Sequence, residues 1–231
     1  WRRAPPSSEH LFGTDQFGRD LFSRTLWGTR VALMVAVGSA GIAALVGIIL
    51  GAVPAYYGGM VDDLFSRFFD IFVTIPNFFL MILVVAIFGS NIYFVMLVIG
   101  LTGWVGNARM MRSQVLTLKT RPYVEGAKLT GAGTARILYS HIIPNGIYPV
   151  IANTTLRMAD AILAEAGLSF LGLGDPNVIS WGKLIATSQV FLAYAPWMAI
   201  LPGVFMLTLV FAFNVVGDGI SYVLNPRLRE R

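Results

Sequence analysis

An all-α, polytopic membrane protein is the fold class this sequence predicts, and three observations predict it. Hydrophobic residues make up 56% of the 231-residue chain against 13% charged, and the mean hydropathy is +0.70. That is more apolar surface than one soluble core of this length can hide. The charges are also segregated: none falls between Val31 and Val61 or between Ile71 and Ala108. Each of these stretches is long enough for a bilayer crossing, which takes about 20 apolar residues. Finally, the basic residues behind the pI of about 9.7 border the apolar stretches instead of interrupting them, as in membrane proteins that hold positive loops on one face.

Five spanning helices follow in order. Val31 to Val53 forms the first, and Gly38, Gly41, Gly47 and Gly51 on it are expected to permit close helix packing. The run from Ile71 to Ala108 is about twice the length of one crossing and must be split. Gly89-Ser90-Asn91 is the evident turn, so the second span ends near Phe88 and the third runs from about Tyr93 to Ala108. Pro76 is expected to kink the second. A cationic stretch, YVEGAKLTGAGTARILYSHIIPN, separates the third span from the fourth. Thr120 can cap a short helix there, with Pro122 in its first turn and Gly131 at its end. Thr134 can cap another helix running up to Pro144. The fourth span covers about Ile142 to Ala166, and the fifth Pro196 to Val216.

Charge chooses the orientation. Arg109, Arg112, Lys119, Arg121, Lys128 and Arg136 crowd the loop after the third span, and Arg227, Arg229 and Arg231 follow the fifth. Both regions belong in the cytoplasm by the positive-inside rule. The connection from Gly167 to Ala195 has only Lys183 and faces outward. The alternation then leaves Arg2, Arg3, Arg19, Arg24 and Arg30 outside, offset in part by Glu9, Asp15 and Asp20. WRRAPPSSEH has no apolar core and so contains no recognisable signal peptide.

Several chemistries are excluded. The chain has no cysteine, and its two histidines, His10 and His141, are too few and too far apart for an imidazole metal site, so no metal is expected. No phosphate-binding GxxxxGK[ST] loop, no GxGxxG after a strand and no nucleophile elbow occurs. The chain is therefore not an enzyme and does not hydrolyse ATP by itself. The basic residues lack interleaved base-stacking aromatics, which points to lipid headgroups and a cytoplasmic partner and not to nucleic acid.

Arg157, Asp160 and Glu165 are charged residues inside the fourth span, and intramembrane charges are candidates for a translocation path. Arg157 and Asp160, three apart on a helix, can pair; the pair either fixes helix packing or belongs to the path. Glu165 lies nearer the outer end, where a water-filled path or a partner's polar group can meet it. Asp70 and Asp218, at the cytoplasmic ends of the second and fifth spans, read as interface residues.

Glu125, Gly126 and Ala127, then Gly131, then Ile143 and Pro144 resemble the EAA loop of binding-protein-dependent ABC importers, whose pattern is Glu-Ala-Ala, three residues, Gly, nine residues, Ile-x-Leu-Pro. Gly126 replaces the first Ala, His141 stands at the Ile position and Ile143 replaces Leu. HLFGTDQFGRDLFSR, with Gly13, Thr14, Asp15, Gly18, Arg19 and Asp20, is similar to a segment of the C-type permeases of dipeptide and oligopeptide importers. So are SFLGLG from Ser169 to Gly174, Ser180-Trp181-Gly182, and the ending from Phe213-Asn214 through Gly217-Asp218-Gly219 to Asn225-Pro226-Arg227.

The resemblance implies the type I ABC importer permease fold in a prokaryotic inner membrane, with the C-terminus cytoplasmic. Residues 1–30 would form an extracytoplasmic segment, and residues 31–231 a transmembrane domain with a cytoplasmic coupling loop at about 113–141. The family carries one more helix before HLFGTD; this chain starts at Trp1 without Met, so its five spans are expected to lack that first helix. Tyr123, Glu125, Gly126, Ala127, Lys128, Gly131 and Pro144 would form a coupling helix and its corner, docked on an ATPase. The partners implied are a homologous second permease, two ATPase subunits that bind ATP and Mg, an extracytoplasmic binding protein and membrane lipids, with no cofactor on this chain. Peptide is the leading substrate, with oligosaccharide, a nickel complex or glutathione as alternatives. An ion-coupled secondary transporter would instead show inverted repeats around an intramembrane ion site, and no internal repeat is evident.

Overall fold

A computed structural model describes residues 2–224; Asn225-Pro226-Arg227 and the arginines beyond lie outside the described residues. Among these, the regular structure is helical, with one isolated antiparallel bridge between Thr14 and Asp20. Helix α1 spans Leu21–Tyr57. It starts before the expected Val31 because Asp20 caps it, the Ser23 N–H donating to Asp20 Oδ2 at 2.7 Å. Its 37 residues extend about 55 Å, beyond the roughly 30 Å of a bilayer's hydrocarbon.

Inside the second charge-free stretch the chain breaks at Pro76, where the sequence suggests a kink. Helix α2 spans Gly59–Thr74 and α3 spans Asn77–Phe88, with a bend of 79° between them. Ile75 precedes a proline and is pushed into extended backbone, φ −80° and ψ 123°. Pro76 has no N–H to continue α2, but its carbonyl accepts from Leu80 at 3.2 Å to begin α3. The turn at Gly89-Ser90-Asn91 is present, with Gly89 at φ +102°. Asn91 caps α4, Ile92–Thr102, by accepting the Tyr93 N–H at 3.0 Å. After a 41° bend, α5 (Val105–Leu118) carries the third helix beyond Ala108.

The remaining helices are α6 (Pro122–Leu129), α7 (Thr134–Ile137), α8 (Ile143–Gly146), α9 (Tyr148–Phe170), α10 (Trp181–Ser188) and α11 (Trp197–Leu224), with a π-helical turn, Leu138–Ile142, joining α7 to α8. The fourth long helix therefore starts at Tyr148, not Ile142. Pro149 sits in its first turn, where its missing N–H costs no hydrogen bond. By length and composition, two of the described helices, α1 and α11, suffice to cross a membrane, or up to four if α2 with α3 and α4 with α5 each count as one bent span. Helix α9 is long enough at 23 residues, but it carries Arg157, Asp160 and Glu165.

The chain forms two compact units. One comprises Trp1–Ser39, Met81–Ile99 and Met158–Asn214. Val35, Val85, Val95 and Leu168 centre one of its cores, and Leu21, Ala36, Ile162, Trp181 and Met198 another. The Trp181 indole packs against Gly28 and donates to the Thr25 carbonyl at 2.8 Å. The other unit comprises Ala40–Leu80, Gly100–Arg157 and, of the described residues, 215–224. Here Gly47 and Gly51 let α1 approach α5: an added Cβ would fall 2.5 Å from the Asn107 Cβ or 2.3 Å from the Ala108 carbonyl oxygen. At Gly41 an added Cβ would meet nothing within 4 Å among the described residues.

Candidate functional site

Helix α6 is short because its sequence stops it at both ends. Pro122 opens it, and Arg121 precedes it in extended backbone without any side-chain cap. Thr120 is not the cap: its hydroxyl donates back to the Thr117 carbonyl at 3.3 Å. Gly131, at φ +80°, closes the helix. Its N–H donates to the Lys128 carbonyl and that of Ala132 to the Ala127 carbonyl, both at 3.0 Å, the paired bonds of a Schellman motif. Eight residues are too few for a stable isolated helix. The side chain of Val124 supplies the rest, fully buried beside Met111, Val115, Ile137, Leu138 and Ile142.

With Val124 turned inward and Ala127 half-buried, Tyr123, Glu125, Gly126, Lys128 and Leu129 face outward. Leu129 is 89% exposed. Glu125 in the first turn and Lys128 in the last complement the helix dipole. A Cβ at Gly126 would meet nothing within 4 Å, so nothing in this chain's packing requires glycine there.

Beyond the corner, Gly133 occupies the cap position of α7 and Thr134 is its first residue, so Thr134 does not cap it. The helix does not stop at Pro144. The π-helical turn at 138–142 admits an extra residue just before the proline, which relieves the clash of a proline ring with the carbonyl four residues back. Two ion pairs brace α2 against α5. Asp62, 7% exposed, accepts both Arg112 Nε and Nη2 at 2.6 and 2.8 Å, and Asp70 accepts Arg109 Nη2 at 2.7 Å. Lys119 Nζ reaches the Ala55 carbonyl at 3.0 Å. Asp62 was not among the sequence candidates. The signal was present: positions 62 and 70 share one helical face, as do 109 and 112.

On α9 the expected ion pair is not formed. Arg157 and Asp160 have no salt bridge among the described residues. The Arg157 guanidinium instead lies against Gly106 on α5, and its buried Nε has no hydrogen-bond partner among the described residues. One turn earlier, Asn153 Nδ2 donates to the buried Asn107 Oδ1 at 2.7 Å. Asp160 is exposed. Glu165 is buried and accepts the Ser169 hydroxyl at 2.6 Å, with Ser180 3.3 Å beyond. It therefore ties the SFLGLG and Ser180-Trp181-Gly182 segments together, its partners being hydroxyls of this chain. Asp218 is exposed on α11.

The N-terminal signature folds on itself. Gly13 and Gly18 take φ of +70° and +83° in turns. Thr14 is buried and accepts the Ala4 N–H at 2.8 Å. Asp15, 3% exposed, accepts the N–H groups of Phe17 and Arg19 at 2.8 and 3.0 Å and Arg19 Nε at 2.7 Å. Asp20 caps α1 through the Ser23 N–H. It also meets His10 Nδ1 at 2.9 Å.

Comparison with known proteins agrees with this geometry. Residues 43–230 match the family described as binding-protein-dependent transport system inner membrane component. The chain is 38% identical to the oligopeptide transport system permease protein OppC of Bacillus subtilis (strain 168), over 98% of this chain and 74% of that protein. It is 40% identical to OppC of Haemophilus influenzae, again over 98% and 74%, and 39% identical to the dipeptide transport system permease protein DppC of Bacillus subtilis, over 98% and 71%. In fold it is similar to a chain of the MetNI methionine ABC transporter in an inward-facing conformation, with a TM-score of 0.70, 16% identity, and coverage of 89% of this chain and 98% of that one.

Proposed function

We propose that this chain, which belongs to the binding-protein-dependent transport system inner membrane component family, carries peptides, and that α6 is the surface through which ATP hydrolysis drives it. The chain is a transmembrane permease subunit, a transport component and not an enzyme. A permease of this kind works with a partner permease and an ATPase. In our reading the partner is a homologous chain, two ATPase subunits hold ATP and Mg, and a binding protein delivers the solute outside. The names of the oligopeptide and dipeptide permease relatives support peptide as the cargo.

The observation that carries the coupling role is the two-sided character of α6. One side is locked by Val124 into the core formed with α5 and the helices after the corner, while Tyr123, Glu125, Lys128 and Leu129 are presented outward. A helix held in this way moves as a body with α5 when its outer face is pushed, the rigid-element transition common to such machines. We place α6 in the cytoplasm and read the bent helix pairs and α9 as spans, for five crossings with the C-terminus cytoplasmic. Arg157, Asp160 and Glu165 are our path candidates. Arg157 is the strongest, because its Nε has no hydrogen-bond partner among the described residues.

Copurification of tagged chain with its transporter partners tests the assignment. An ATPase is expected to travel with the wild-type chain, and Glu125→Lys, which reverses charge on the outward face, is expected to lower peptide uptake about tenfold or more, since like-charge contacts at an interface cost several kcal/mol. Absence of any ATPase from the complex, or unchanged uptake in Glu125→Lys, would remove the docking role.

A further inference from the structure

Between the N-terminal signature and α10 lies a cavity of about 250 Å³, lined by Asp15, Phe17, Arg19, Arg24, Lys183 and Thr187 among others. Three cations face it against one acid, and that acid is already engaged. Asp15 Oδ1 accepts two backbone N–H groups, and Oδ2 accepts Arg19 Nε. Arg24 Nε stands 3.5 Å from Oδ2, buried and without a hydrogen-bond partner. A guanidinium carries five N–H donors. Among the described residues the fork of Arg24 makes no hydrogen bond, and Arg19 spends only its Nε on Asp15 while its plane rests on the Phe17 ring, 4.6 Å from the centroid.

We propose that this cavity is an oxyanion site that takes one carboxylate or phosphate group between Arg24, Arg19 and Lys183. The size fits a single acidic group and its immediate neighbours: the cavity holds the volume of about eight waters. Planar guanidinium forks match carboxylate and phosphate oxygens two at a time. The excess of positive charge is visible on Lys183 as well. Burial first, then repulsion from Arg24, lowers its pKa from the ordinary 10.5, with Arg19 adding to the effect and Asp175 opposing it. Its ammonium is steered by the carbonyls of Pro176 and Val178, at 2.5 and 3.5 Å. Two sources carry the same chemistry: the free carboxylate of a small solute and the phosphate of an anionic lipid headgroup.

The test uses the assembled transporter in phosphatidylcholine nanodiscs and reads, by mass spectrometry, the rate at which a small acylating reagent modifies Lys183, with a synthetic lysine peptide added to each sample as reference. Inorganic phosphate and trialanine are expected to protect Lys183, and trialanine amide is not; this result assigns the free-anion source. Protection that appears only when phosphatidylglycerol is included assigns the headgroup. Arg24→Gln is expected to weaken protection about tenfold or more, the worth of a hydrogen bond to a charged group. Arg19→Gln, at a half-exposed side chain outside the core, gives the same reading if Arg24→Gln fails to assemble. The proposal is overturned if no anion protects Lys183, if the amide protects as well as the acid, if both variants retain full protection, or if protection arises only on adding the binding protein.

Discussion

Asp175 acts on a helix 83 residues away in sequence. Its Oδ2 accepts the Ile92 N–H at 3.0 Å, the first free donor of α4, and its Oδ1 accepts the Asn177 N–H at 2.8 Å. The Asn177 N–H holds the carboxyl below its ordinary pKa of 3.8, against the opposing effect of burial and with the Ile92 N–H adding to it. A folded pKa below the unfolded one means that this stabilisation is fully present above the unfolded value and is lost as pH falls through the folded value. Exchange protection of the Ile92 amide, corrected for intrinsic rate, is therefore expected to be flat from about pH 7 to 5 and to fall below about pH 4. Asp175→Ala is expected to lower that protection about tenfold at pH 7, the worth of a cap of about 1 to 2 kcal/mol. Unaltered protection in the alanine variant would show that the contact does not hold α4. The Asp175–Ile92 contact is invisible in the sequence because nothing in a local pattern announces a partner so distant, whereas Asp20 stands only three residues before the N–H it caps.

At the scale of elements, what was legible followed local backbone chemistry. Pro122 and Gly131 delimit α6 where they should, since a missing N–H and a positive φ are properties of the residue itself. Thr120 and Thr134 failed as caps because a hydroxyl can satisfy itself on the preceding turn or sit one position inside the helix, and sequence does not decide between these. Pro76 marks a disruption in the sequence, but whether such a proline kinks or breaks a helix depends on what supports the chain beyond it. Two substitutions separate the mechanics of α6 from its fold. Gly126→Ala is expected to stabilise the helix by about 0.5 to 1 kcal/mol and leave transport intact, since a Cβ meets nothing there within this chain. Gly131→Val places a β-branched residue at φ +80°, costs about 1 to 2 kcal/mol or more, and is expected to uncouple ATP hydrolysis from uptake while the complex still assembles. Reconstituted transport measured beside ATPase rate distinguishes them. Lost uptake in Gly126→Ala would mean that a partner packs directly on that backbone, and coupled transport in Gly131→Val would mean that the corner need not be rigid.

For the molecule in its membrane, the apolar stretches were plain in the sequence because bilayer burial demands long uninterrupted hydrophobic runs. Orientation was harder, because positive-inside counting treats every cation alike. The pairing of charges alters that count on both faces. Arg109 and Arg112, counted as cytoplasmic, are bound to Asp70 and Asp62, which leaves Lys119, Arg121, Lys128 and Arg136 to carry the loop's bias. In the N-terminal segment Arg19 and Arg24 gather on Asp15, so its basic character is partly neutralised within its own fold. An outward placement of residues 1–30 is then less costly than the tally of arginines suggests. The chain has no cysteine, which makes single introduced thiols clean reporters. Ser8→Cys and Thr130→Cys both lie at exposed positions, one before α1 and the other at the end of α6. In spheroplasts expressing the whole transporter, a membrane-impermeant maleimide is expected to label Ser8→Cys directly and Thr130→Cys only after permeabilisation, because an odd number of crossings separates them. The reverse pattern would invert the orientation and move α6 away from any cytoplasmic ATPase. Labelling of both in intact spheroplasts would require an even number of crossings, so that one of the bent helix pairs would enter and leave on the same face instead of spanning.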